Sequence, residues 1–263
     1  MTSADPSPRQ PAGAPRRSAP GPRMLTAQLR AELRLSLRQG EQLLVSLGIP
    51  LGLLVFFSTV QVLPLPERVD EPIDFLAPGI LALAVMSSAM VSLGISTGFD
   101  RQYKVLKRIG VTPLGRGRFV TAKISSVLVV ELLQIAVLVP TALALGWDPS
   151  PSAGVALGAA LLGTAAFAGI GLLMAGTLPG MLTLALANGV YLVLLLLGGM
   201  IIPLSSLPGA LEAVAQLLPA AALAELLYAT LTEGTLGDPS SWAVLTAWAV
   251  LAPVSAALLF RWE

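Results

Sequence analysis

The chain has 263 residues, of which 55% are hydrophobic and 12% charged, with a mean hydropathy of +0.80 and a net charge of +1. A soluble domain carries roughly twice that charged fraction, so the surplus of Leu, Ala, Val and Gly predicts an all-α polytopic membrane protein. Cysteine and histidine are both absent. That excludes disulfides, thiolate or imidazole metal sites, Ser-His triads and imidazole proton relays, and with them most intramembrane enzymes.

Residues 1–23 are rich in Pro, Ala, Ser and Arg without apolar periodicity, which predicts a disordered tail on the cytoplasmic side. The first apolar run begins only near Leu43 and is of spanning length, longer than the apolar core of a signal peptide, so no cleavage is expected. Over 24–40, Leu25, Leu29, Leu33 and Leu37 recur every four residues beside a stripe of Arg30, Arg34 and Arg38. This pattern predicts an amphipathic helix lying at the membrane surface, its Leu face in the acyl boundary and its Arg face toward anionic headgroups. The bland alternative is the cytoplasmic start of the first span.

The rest, 41–263, reads as one transmembrane domain with six spans. They cover about 43–63, 75–98, 119–145, 153–173, 181–202 and 242–260. Between the last two, the apolar run 211–231 is interrupted by Glu212, Gln216, Pro219 and Glu225. It reads as a re-entrant or surface helical pair rather than a full crossing. The basic residues set the orientation. All except Arg68 lie before the first span, between the second and third, or at the C-terminus, so the positive-inside rule places both termini in the cytoplasm. The enrichment in Ala, Arg, Gly and Pro associates the chain with a high-GC bacterial source, and hence with a bacterial cell membrane.

Glu131 is the one acid deep inside a span. An isolated carboxylate there costs roughly 2.5–3.5 kcal/mol on insertion scales, so it should face the bundle or a cavity. With Gln134 one turn on and Asn188 in the fifth span, it could line a substrate or proton path, or simply pack and hydrogen-bond. In the second span Ser88, Ser92 and Ser96 follow at four-residue spacing, with Gly94 and Gly98 as a G-x-x-x-G pair. Close helix packing is the expected role, and a polar pathway lining is the alternative for Ser88 and Ser92. Gly154–Gly158 is read as packing in the same way. The sequence contains no G-x-x-x-x-G-K-[ST] and no dinucleotide or zinc fingerprint, so this chain has no visible means of hydrolysing ATP. Nucleic-acid binding is a poor reading too, because the basic segments abut spans and lack any aromatic platform.

The most distinctive stretch is 100–123, DRQYKVLKRIGVTPLGRGRFVTAK, with seven basic residues against the single acid Asp100. Phe99, Tyr103 and Leu106 fall on one helical face and Arg101, Lys104 and Arg108 on another, predicting a short amphipathic helix of about ten residues. Gly110 and Thr112-Pro113 end it. Arg116 and Arg118 then anchor the start of the third span. The loop could merely fix orientation, or present a rigid helix to a cytoplasmic subunit.

At these residues the chain resembles the membrane subunits of type-2 ATP-binding-cassette exporters, the group that includes daunorubicin-resistance-like permeases. The resemblance rests on Asp100-Arg101, Leu106-Lys107-Arg108-Ile109, Thr112-Pro113 and the basic run from Arg116 to Lys123. The N-terminal helix, the six spans and the segment with Pro203, Pro208 and Pro219 look similar as well. Lys104 departs from the pattern, standing where such loops often carry Gly.

The resemblance implies a half-transporter. Two permease copies, identical or related, would form a pathway for a hydrophobic or amphipathic cargo such as a drug, a lipid or a lipid-linked product. A separate ATPase subunit would carry the ATP and magnesium, and none would be bound by this chain. Asp100, Arg101, Tyr103, Lys104, Leu106, Lys107, Arg108, Thr112 and Pro113 would then be the ATPase-coupling residues. A stand-alone proton-coupled transporter using Glu131 is the alternative, although no convincing inverted repeat links 43–145 to 153–260.

Overall fold

The computed structural model describes residues 40–60, 71–106, 115–150 and 152–261, with side chains from Ser46 onward and, after the basic loop, from Val120. The expected tail, the interfacial helix over 24–40, and Lys107, Arg108, Thr112 and Pro113 lie outside the described residues. Every described element is helical, as the composition predicted.

In chain order, α1 is Gly40–Thr59, α2 is Pro72–Met86 and α3 is Leu93–Gln102, with a π-helical turn, Ser87–Ser92, between the last two. The long α4 is Gly115–Ala144, α5 is Ala153–Thr177 and α6 is Gly180–Leu197. A short 3-10 turn, Leu204–Ser206, leads to α7, Gly209–Ala215, then to α8, Pro219–Leu231, and finally to α9, Pro239–Leu259. Among the described residues, five helical stretches are long and apolar enough to cross a membrane, α2 through α3, α4, α5, α6 and α9, or six if the bent pair α7–α8 counts as one span. The twenty residues of α1 would extend about 30 Å at 1.5 Å per residue, and its apolar portion with described side chains is Ser46–Thr59.

α7 and α8 meet at a bend of 84°. Proline at the first position of α8 removes a backbone donor where a continuous helix would need one, so the chain turns at Gln216–Leu218. All of α8 except Glu225 is buried. Its C-terminus meets the start of α2, where the Thr232 hydroxyl donates to the Asp74 carbonyl at 2.7 Å. The Ser150 N–H, beyond α4, donates to the Leu231 carbonyl at 2.7 Å. These contacts lie at the end of the bundle opposite the basic loop. So sharply bent a pair is either a broken span or a re-entrant segment.

Several span boundaries differ from the expected ones by a few residues, the end of the fifth span and that of the second among them. The fifth span stops at Leu197 rather than near 202, because Gly199 takes a φ of +66° and Pro203 follows. The second runs unbroken from Pro72 to Gln102, extending past the expected Gly98 into the basic loop.

α5 is the central post of the bundle, packed against α9, α3, α8, α2 and the π turn. Its glycines make this possible. A Cβ on Gly171 would stand 2.6 Å from the Met90 carbonyl oxygen, and one on Gly163 2.7 Å from the Leu223 side chain. Gly169 and Gly176 likewise abut Pro253 and Phe260 of the last span. The Gly154–Gly158 pair expected to pack does not: a Cβ on either would meet nothing within 4 Å. These two glycines sit on the outward side of α5, so spacing alone misidentified the contact face. Gly94 and Gly98 do pack, the first against Gly171 and the second against Thr183, with closest approaches of 3.1 and 3.2 Å.

At the start of α9 the Asp238 carboxylate caps the helix by accepting from the Ser240 N–H at 2.8 Å, and that hydrogen bond holds its carboxyl below the usual carboxylate range.

Candidate functional site

The basic-loop end of the bundle is built from helix termini. α3 carries span two to its last residues, and Asp100 there meets Lys123 of α4, Oδ2 to Nζ 2.6 Å. The Lys123 side chain is 6% exposed and that of Asp100 29%. The two ends of the basic loop are therefore clamped together by a largely buried ion pair. Beside it, Arg101 turns inward, its Nη1 donating to the carbonyls of Ala175 at 3.1 Å and Leu178 at 3.2 Å. These belong to the C-terminal end of α5, where carbonyls lack helical donors and carry partial negative charge.

The expected ten-residue loop helix is interrupted. α3 ends at Gln102, Tyr103 and Lys104 form a turn, and helical backbone resumes at Val105–Leu106. The physical reason is local. Lys104 adopts a φ of +58°, the left-handed region that a helix cannot use. This is the position at which the resemblance leads us to expect glycine. Tyr103 is exposed and stacks on Phe99, ring centroids 6.0 Å apart, whereas Leu106 is buried. The loop thus offers Tyr103 and Lys104 outward and anchors itself with Leu106, Asp100 and Arg101.

In mid-bundle, Glu131 of α4 is buried and receives two hydroxyl donors: Thr164 of α5 at 2.9 Å and Ser88 of the π turn at 3.3 Å. Each carboxylate oxygen has its own donor, and three elements are joined. Both hydroxyls also lie within hydrogen-bond distance of carbonyls one turn back in their own helices, Ala84 for Ser88 and Ala160 for Thr164. Gln134 is buried away from this cluster, its amide donating to the Ser46 carbonyl of α1 at 2.9 Å. Ser92 is half-buried on the π turn. Asn188 lies in the middle of α6 with its side chain exposed, donating back to the Leu184 carbonyl at 2.8 Å.

Of the residues considered for a pathway, Glu131 and Ser88 come together; Gln134 and Asn188 stand apart from them. None of these residues lines the cavity of about 310 Å³ at the opposite end, which is bounded by Phe75, Glu212, Glu225, Tyr228 and Asp238. Thr164 and Thr183 escaped the sequence reading because a lone threonine in an apolar run carries no signal of its own. Only their partners, a buried carboxylate and a helix end, give them roles.

Among the described residues the chain is an all-helical bundle with several apolar spans and an ion-pair-clamped basic loop, the fold of a polytopic membrane protein. The family model for the ABC-2 type transporter matches residues 24–232, and the chain belongs to that family, whose members are permease components that normally work with an ATPase subunit. None of the curated proteins compared matches the chain.

Proposed function

We propose that the chain is the permease subunit of a type-2 ATP-binding-cassette exporter, carrying a hydrophobic or amphipathic substrate across a bacterial cell membrane with both termini cytoplasmic. A separate ATPase subunit, holding ATP and magnesium, docks on the basic loop. The observation that carries this reading is the clamp at the loop's base. Asp100–Lys123 and Arg101 fasten both loop ends to the spans, while Tyr103 and Lys104 face outward. A loop serving only to fix orientation would need charge, not a rigid seat.

Two copies form the pathway, meeting along α6. That helix exposes Met181, Leu182, Leu192 and Val193 on its surface, with Asn188 in their midst. A polar amide in mid-span is poorly placed against acyl chains and well placed against another protein surface. Glu131 fits better as an internal strut than as a proton carrier, because its oxygens are engaged by hydroxyls on two flanking elements.

The test is reconstitution in liposomes with the candidate ATPase and a fluorescent lipophilic dye as probe. ATP-dependent dye movement that stops when the ATPase is catalytically disabled supports the reading. Movement that continues without the ATPase and collapses with a protonophore would replace it with proton-coupled transport. For the dimer, Asn188→Cys is informative because the chain has no native cysteine. Oxidation should cross-link two copies, which requires Cα atoms within about 7 Å.

A further inference from the structure

At the loop end, four helix termini converge on the short link between α5 and α6. The carbonyls of Ala175 and Leu178 accept from Arg101, and that of Gly176 accepts from the Arg261 N–H at 3.0 Å, bringing in the end of α9. The Thr183 hydroxyl, in the first turn of α6, lies 3.1 Å from the Pro179 carbonyl oxygen and 3.4 Å from those of Met174 and Leu178. Gly180 fits flush against α3, where an added Cβ would collide with the Gln102 side chain and stand 3.2 Å from the Phe99 ring. Among its neighbours in the described chain, α6 packs most extensively on α3.

We propose that Arg101 is a positioning residue that passes movement of the basic loop to α6. This rests on the reading of that loop as the ATPase's seat. Arg101 grips the α5–α6 link from the last turn of α3, next in sequence to Asp100, which holds α4. A displacement of the loop moves the end of α3. The guanidinium carries the link with it, and α6, seated mainly on α3, follows as a lever. Arginine suits this better than lysine because its planar, charged fork presents several donors in fixed geometry and can span two carbonyls. A docking residue would reach outward to the partner subunit; Arg101 reaches inward.

The experiment uses the full complex with its ATPase in nanodiscs and a spin label on Met181→Cys, a 64% exposed position in the first turn of α6. The distance between labels on the two copies is measured without nucleotide and after trapping with ATP and vanadate. Arg101→Gln should abolish the nucleotide-dependent distance change, with retention of the ATPase and its hydrolysis measured on the same sample. Arg101→Lys should retain part of it. A full distance change in Arg101→Gln overturns the proposal, and so does loss of the ATPase from that variant, which would make Arg101 a docking residue. If the unsubstituted permease fails to retain the ATPase, the underlying reading of the loop fails first, and the proposal with it.

Discussion

The Lys123 ammonium sits 2.6 Å from the Asp100 carboxylate across twenty-two intervening residues of basic loop, in a site that leaves the lysine side chain only 6% exposed. Removing one member strands the other charge in a poorly solvated place. Lys123→Met should therefore cost up to about 3 kcal/mol, read as a lower midpoint of thermal unfolding in detergent. The charge-reversed pair Asp100→Lys/Lys123→Asp should recover part of that loss. Equal instability of the single and double variants would show that the attraction between the two does not hold the loop.

Two glycines of one helix should respond oppositely to the same substitution. Gly158→Ala adds a methyl where nothing lies within 4 Å and should stabilise α5 by up to about 1 kcal/mol, the usual difference in helix propensity. Gly171→Ala places that methyl 2.6 Å from the Met90 carbonyl oxygen and should destabilise by about 1–3 kcal/mol as the π turn is pushed away. Paired thermal unfolding of the two variants checks the contrast.

Lys104 holds a left-handed conformation that costs an ordinary residue roughly 1–2 kcal/mol, and glycine nothing. Lys104→Gly gains freedom in the unfolded chain, so the net change should be a stabilisation of under about 1 kcal/mol. Hydrogen exchange of the amides at 103–106 should slow. Faster exchange would indicate that the lysine side chain contributes more than its backbone costs.

Glu131→Gln keeps an acceptor for one hydroxyl, and the other can turn to its own helix. Thermal stability should stay within about 1 kcal/mol and dye transport should persist across the pH range. Transport abolished in a fully assembled Glu131→Gln complex would reinstate the carboxylate as part of the pathway.

Much of this architecture could be read directly from the residues. Apolar runs of spanning length marked the helices because lipid leaves the backbone no other partner, and Glu212, Gln216 and Pro219 announced the bent segment. The basic loop also stood out, since charge in so apolar a chain is confined to few places. Pairwise geometry was harder to see. Periodicity placed Arg101 and Lys104 on one helical face, but the two part: Arg101 turns in to the end of α5, where the carbonyls want a donor, and Lys104 is exposed. Nothing in the alternation of side chains could reveal that the helix breaks at Lys104. G-x-x-x-G spacing likewise distinguishes which residues are small but not which side of a helix is crowded: Gly94 and Gly98 pack, Gly154 and Gly158 do not.

The π turn at Ser87–Ser92 acts on span two as a phase shifter. Each residue advances an α-helix by about 100°, and the wider turn holds back roughly one residue's worth of that rotation. The azimuth of Ser88, aimed at Glu131, is thereby decoupled from the azimuth of Gly94, Gly98 and Arg101, aimed at α5 and α6. In an unbroken α-helix those two sets could not both face their present partners. Shortening the turn by one residue, for instance by deleting Ala89, would swing the whole of α3 through about a quarter of a revolution and carry Arg101 off the α5–α6 link. The angular setting of the basic loop is thus fixed near the middle of the span, well away from the loop itself.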